Sequence, residues 1–107
     1  MNKSKFTSIA KKWNLTFKEA INLVAIKSEV MRSEKFKDQD WFYINSDMGK
    51  RQYNKFESLK NKGFIDMTND KVSMNHKGDE FPLHIGAVSY LGGFDDEDIL
   101  ENIILNK

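Results

Sequence analysis

Apolar residues at Phe6, Ile9, Ala10 and Trp13 recur at the i, i+3, i+4, i+7 spacing of one helix face, which predicts a short first helix. Asn14 and Leu15 interrupt it. Thr16-Phe17-Lys18-Glu19 then reads as a capping box, with the Thr16 hydroxyl and the Glu19 carboxylate each taking a backbone N–H of the new helix. This second helix is expected to reach about Ser33. Its apolar set (Phe17, Ala20, Ile21, Val24, Ala25, Val30, Met31) is broad enough for a central core helix. Residues 34–40 are mostly charged and read as a loop or a single helical turn. Trp41-Phe42-Tyr43-Ile44 is aromatic and β-favouring, which predicts a short strand.

Ser46 or Asp47 can cap a third helix running to Lys62, with Met48, Tyr53, Phe56 and Leu59 on its inner face. Gly63 stands where a helix-ending glycine belongs. Residues 64–68 and 71–74 read as two strands joined by a tight Asn69-Asp70 turn. Asn75 caps a short helix through Phe81, and Pro82 ends it. Residues 83–91 are apolar and fit either helix or strand, and Gly92-Gly93 makes a break. Asp95 or Asp96 caps a last helix whose Ile99, Leu100, Ile103 and Ile104 share a face, with its acids in the first turn where the helix dipole favours them. No repeat or internal boundary appears. One domain over residues 1–107 is expected, with 83–107 as a C-terminal extension that packs on the body or pairs with a second chain.

The stretch from Ser46 to Phe81 carries a resemblance. Phe56-Glu57-Ser58-Leu59-Lys60-Asn61-Lys62-Gly63-Phe64-Ile65 resembles the L-x-x-L-x-x-K-G-L-I ending of a recognition helix in winged-helix DNA-binding proteins. Val72-Ser73-Met74-Asn75-His76-Lys77-Gly78 is similar to the V-x-L-T-x-K-G step that follows the wing in MarR-like regulators. The two stand at the spacing that a hairpin of wing length requires, and they cover about the middle third of the chain. The resemblance implies a mainly helical α+β fold: a winged helix-turn-helix with a two- or three-stranded wing and a C-terminal helix. Residues 34–45 would supply the separate helix that such proteins place just before the recognition helix.

The charge pattern adds to this picture. The net charge is only +1, but residues 1–78 hold 16 Lys and Arg against 9 acids, and residues 79–107 hold one Lys against 7 acids. A basic body and an acidic tail suit different partners. Residues 47–62 carry five basic groups against two acids. On a wheel anchored at Phe56, the outward positions are Lys50, Arg51, Asn54, Ser58 and Asn61, with Glu57 at the edge. Lys and Arg neutralise phosphate, and Arg51 and Asn54 have the donor geometry to read base edges. The candidate DNA-contacting residues are therefore Ser46, Lys50, Arg51, Asn54, Lys55, Ser58 and Asn61 on the helix, with Lys71 on the hairpin. An ordinary amphipathic helix with a solvated Lys-rich face is the competing reading. Fifteen Lys and ten Asn in 107 residues are an association with AT-rich genomes, phage-like ones among them.

Other chemistry finds little support in the sequence. Cys is absent, which excludes disulfides and thiolate ligands. His76 and His84 stand alone, and Asp95-Asp96-Glu97-Asp98 lacks the spacing of a calcium loop. There is no phosphate-binding glycine loop or nucleophile motif, so no catalytic residue, metal or cofactor is expected, and the chain is read as a non-enzyme. No apolar run approaches a membrane span, and the start lacks an apolar signal core, so a cytoplasmic protein is expected. The first expectation is a small transcription regulator on double-stranded DNA, with a homodimer through the last helix as one arrangement. The alternative is a winged-helix protein-interaction module that binds a partner, such as a polymerase or nuclease, through Trp41 or the acidic segment Asp95, Asp96, Glu97 and Asp98.

Overall fold

A computed structural model describes residues 1–44, 46–86 and 97–106, with the side chains of residues 46–53 and of Glu97 outside that description. The chain is α+β and mostly helical. Its described elements are α1 (Lys3–Lys12), α2 (Phe17–Lys37), β1 (Trp41–Tyr43), α3 (Ser46–Asn61), β2 (Ile65–Thr68), β3 (Lys71–Met74), α4 (His76–Glu80) and α5 (Glu97–Leu105).

Helix α2 is the axis of the fold. Every residue from Glu19 to Ile26 is buried, and the helix touches α1, α3, α4, α5, β1 and β3. A helix enclosed on all sides carries apolar residues round its whole circumference, as Ala20, Ile21, Leu23, Val24, Ala25 and Ile26 do here. Asn14, at φ 59°, makes the reversal between α1 and α2, and the Thr16–Glu19 capping box forms as its spacing predicts. The helix runs four residues beyond Ser33, so residues 34–37 are a last helical turn of α2 and not a loop or a separate turn. Glu34, Lys35 and Lys37 are good helix formers, and no Gly or Pro stops them. Termination falls to Asp38, in the left-handed region at φ 54°, where Asp is among the few non-glycine residues tolerated. The Asp38 and Gln39 N–H groups both return to the Ser33 carbonyl. This length leaves no room for a separate helix within 34–45. Among the described elements α3 is the single helix between β1 and β2.

The three strands form one antiparallel sheet in the order β1-β3-β2. Asn69 and Asp70 both have positive φ (51° and 65°), the geometry of a two-residue hairpin turn matched to strand twist. Register places Trp41 and Asp66 on either side of Ser73, and Tyr43 and Thr68 on either side of Lys71. Alternation sends Ile65, Met67 and Val72 into the core, with Phe42 packed against it, and leaves Trp41, Tyr43, Asp66, Thr68, Lys71 and Ser73 on the other face.

Four sets of contacts among the described residues join the last part of the chain to this frame. Gly63, at φ 86°, turns the chain out of α3, and Phe64 enters an aromatic cluster with Trp13 and Phe81 at centroid distances of 5.7–6.4 Å. Trp13 is therefore half-buried packing. Asn75 caps α4, and Lys27 of α2 donates to the carbonyls of Gly78 (3.3 Å), Asp79 (3.1 Å) and Phe81 (2.7 Å) at the end of that helix. Burial lowers the Lys27 pKa, with Asp79 opposing. Helix α5 packs on α2 through Leu100 and Ile104, and the Met1 amine reaches the Leu105 carbonyl (3.2 Å). Ile99, expected on the packed face, is 51% exposed, because the face in contact with α2 centres on the Leu100–Ile104 spacing. Residues 83–86 have no regular structure. The expected Gly92-Gly93 break and the Asp95 or Asp96 cap lie outside the described residues. Among the described residues no helix is long and apolar enough to cross a membrane.

Candidate nucleic-acid interface

Helix α3 is held from below by a buried carboxylate at the start of α2. Phe56 and Leu59 are fully buried and seat the helix on the core. Beside them, Glu19 accepts from the Thr16 N–H (2.9 Å), from the Lys62 ammonium (2.8 Å) and from the Ser58 hydroxyl. Lys62 also donates to the Asn14 carbonyl (2.8 Å), and Lys77 donates to the Lys62 carbonyl (3.0 Å). Burial pushes the Glu19 carboxyl up, but the bonds from Lys62, Ser58 and Thr16 outweigh it and lower its pKa from 4.5 to about 2. Glu19 stays ionised, and the C-terminal half of α3 is fixed at a set angle to α2.

The network changes the expected site in two ways. Ser58 is half-buried and turned toward Glu19, so it does not stand on the outward face. A wheel anchored at Phe56 measures direction from the helix's own core side and misses that the start of α2 overhangs this flank. Lys62, counted in the basic balance of 47–62, has its charge met by Glu19. Both residues are structural here.

The open face of α3, within its described side chains, is Asn54, Glu57, Lys60 and Asn61. Asn54 and Asn61 lie two turns apart, on one line along the helix. Lys55 is half-buried, and its pKa is lowered by burial and then by the nearby charge of Lys18. Lys18 therefore extends the cationic flank from the start of α2, thirty-seven positions away in sequence, where no local signal marks it. Ser46, Lys50 and Arg51 belong to α3, and their side chains lie outside the described residues. Lys71 is exposed at the hairpin, and its ammonium lies 4.4 Å from the Trp41 ring centroid and 5.8 Å from that of Tyr43. It thus sits on the outer face of the sheet.

The acidic segment is described only in part. Asp98 is exposed on α5, whereas Asp95, Asp96 and the Glu97 side chain lie outside the description. His76 pairs with Glu80 across one turn of α4 at 2.9 Å, both well exposed, and His84 is exposed. Searches against protein-family models, curated proteins and solved structures gave no match to this chain.

Proposed function

We propose that this chain is a small DNA-binding transcription regulator on a winged-helix plan. The observation that carries the reading is the placement of α3. It lies between β1 and β2 in the chain, packs against both α2 and β2, and keeps Asn54, Lys60 and Asn61 open to solvent. A helix so supported can enter a major groove while the hairpin next to it follows the backbone. Helix α2 takes the supporting role that a separate short helix has elsewhere, with the Glu19–Ser58–Lys62 network setting the crossing angle. Asn54 and Asn61 suit adenine edges, Arg51 suits a base edge as its type predicts, and Lys60 with Lys50 suits phosphate.

Two exposed substitutions separate these roles. Asn54→Ala is expected to cost about 1–3 kcal/mol on a preferred duplex and little on others, relaxing sequence choice. Lys60→Glu is expected to weaken binding to every duplex and to reduce the salt slope by at least about 1. Both variants should unfold like the parent in urea. Unaltered affinity and salt slope in both would remove α3 from the interface.

The alternative, a protein-interaction module, is favoured by a different surface, where Trp41 and Tyr43 stand beside Lys71.

A further inference from the structure

Between the C-terminal half of α2 and β1 runs an open groove of about 400 Å³. Glu29, Arg32, Ser33 and Lys37 form its helical wall, and Trp41 and Tyr43 contribute from the strand. Strand β1 is an edge: among the described residues it pairs with β3 alone. The Ile44 N–H donates to the Asp70 carbonyl (2.7 Å). Antiparallel alternation then makes Phe42 and Val72 the next hydrogen-bonded pair, so the N–H and C=O groups of Trp41 and Tyr43 point away from β3, along the groove.

Three features make this edge a place for an added strand. The first is the outward backbone of Trp41 and Tyr43, the kind of edge that accepts an extended peptide. The second is Arg32. Its Nε is enclosed by the protein itself and has no hydrogen-bond partner, so a carboxylate entering the groove would meet the guanidinium through its Nη groups. A carboxylate is the best match for a guanidinium fork, and Lys37 adds a second positive charge against the one acid, Glu29. The third is the exposed aromatic rim. Tyr43 is 61% exposed and packs edge-on to Trp41 at 4.9 Å, and Phe36, 62% exposed, lies beside Arg32 at 6.0 Å. Exposed aromatics flanking an arginine are the composition of an interface anchor.

We infer that this groove binds an extended acidic segment of a partner protein. The segment adds as a strand to β1 and places an Asp or Glu side chain on Arg32. A single-stranded nucleic acid also stacks on aromatics, but its sugar-phosphate backbone has no alternating N–H and C=O groups to pair with a strand edge. The site is built from α2 and β1 and uses none of the exposed α3 residues, although Trp41 and Tyr43 also border Lys71.

The test is selection of short random peptides displayed on phage against the intact chain, followed by titration of synthetic copies of the enriched peptides. Enriched sequences should combine β-branched residues with Asp or Glu. Their affinity should fall about tenfold or more in Arg32→Glu, and again in Lys37→Glu, with duplex DNA binding unchanged. Tyr43→Pro should block the edge, and circular dichroism checks its fold, while the two charge variants carry the test if it does not fold. Three results would overturn the inference: no enrichment of acidic peptides, enriched peptides indifferent to Arg32→Glu and Lys37→Glu, or oligothymidylate binding that these substitutions abolish while acidic peptides fail to bind.

Discussion

Replacing Glu19 by alanine is expected to destabilise the fold by about 3 kcal/mol, at the lower end of what breaking a buried ion pair costs because Lys62 retains some solvent contact. The loss has several parts. Lys62, Ser58 and the Thr16 N–H would each lose an acceptor in a partly enclosed place, and the capping box of α2 would open. Glu19→Gln keeps an acceptor oxygen and the cap but, like the protonated acid, lacks the charge, so its loss at neutral pH should approach that of protonating Glu19, on the order of 3 kcal/mol. The same carboxylate sets an acid limit. Its pKa is about 2 in the folded chain against 4.5 unfolded, so the unfolded state binds the proton more readily. The stabilisation is fully present above 4.5 and is lost as the pH falls toward 2, on the order of 3 kcal/mol in total. Urea unfolding at neutral pH and through that acid range checks both statements. The parent should lose midpoint steadily across the window, and Glu19→Gln should lose markedly less. A parent and a variant with parallel acid profiles would show that Glu19 is not the group responsible.

Gly78→Ala is expected to destabilise the fold by about 3 kcal/mol, at the upper end for overpacking. Gly78 is buried in α4, and a Cβ there would stand 2.2 Å from the Phe64 carbonyl oxygen and 2.6 Å from the Met74 methyl. The methyl group can swing aside. The carbonyl cannot move as easily, because it accepts the Asn75 N–H (3.0 Å) at the point where β3 gives way to α4. The backbone would have to shift α4 off Phe64, disturbing the Trp13–Phe64–Phe81 cluster and the Lys27 contacts together. The close approach gives a physical reason for glycine in the Lys77-Gly78 step: only a residue without a side chain lets α4 lie on that carbonyl. Thermal and urea denaturation of the variant measure the effect. A loss under about 1 kcal/mol would mean that the α4–Phe64 contact is looser than the geometry states.

Local signals in the sequence were enough where one residue decides one backbone feature. Thr16 with Glu19, Gly63, the Asn69-Asp70 pair and Asn75 each mark a cap or turn by chemistry confined to a few positions, and each forms where expected. The end of α2 was not legible in the same way. Glu34, Lys35 and Lys37 are charged and fit a loop or a short helical turn, but they are also good helix formers, and the stop signal is an Asp in a conformation that more often marks Gly or Asn. Long-range pairs were less accessible still. Glu19 and Lys62 lie 43 positions apart, and nothing near either one indicates the other, so Ser58 and Lys62 read as surface residues of α3. The groove at Arg32 and Tyr43 depends on the sheet order β1-β3-β2, which leaves β1 at an edge facing α2.

The most direct measurement of the DNA-binding account is fluorescence anisotropy of the intact chain with mixed-sequence duplex DNA across a salt series. Binding at low salt is expected, with log K falling linearly in log salt at a slope corresponding to several phosphates, about −0.9 for each one contacted. Absence of binding at the lowest salt, with the chain folded, would contradict the account and make the lysine-rich surface of α3 a solvated face.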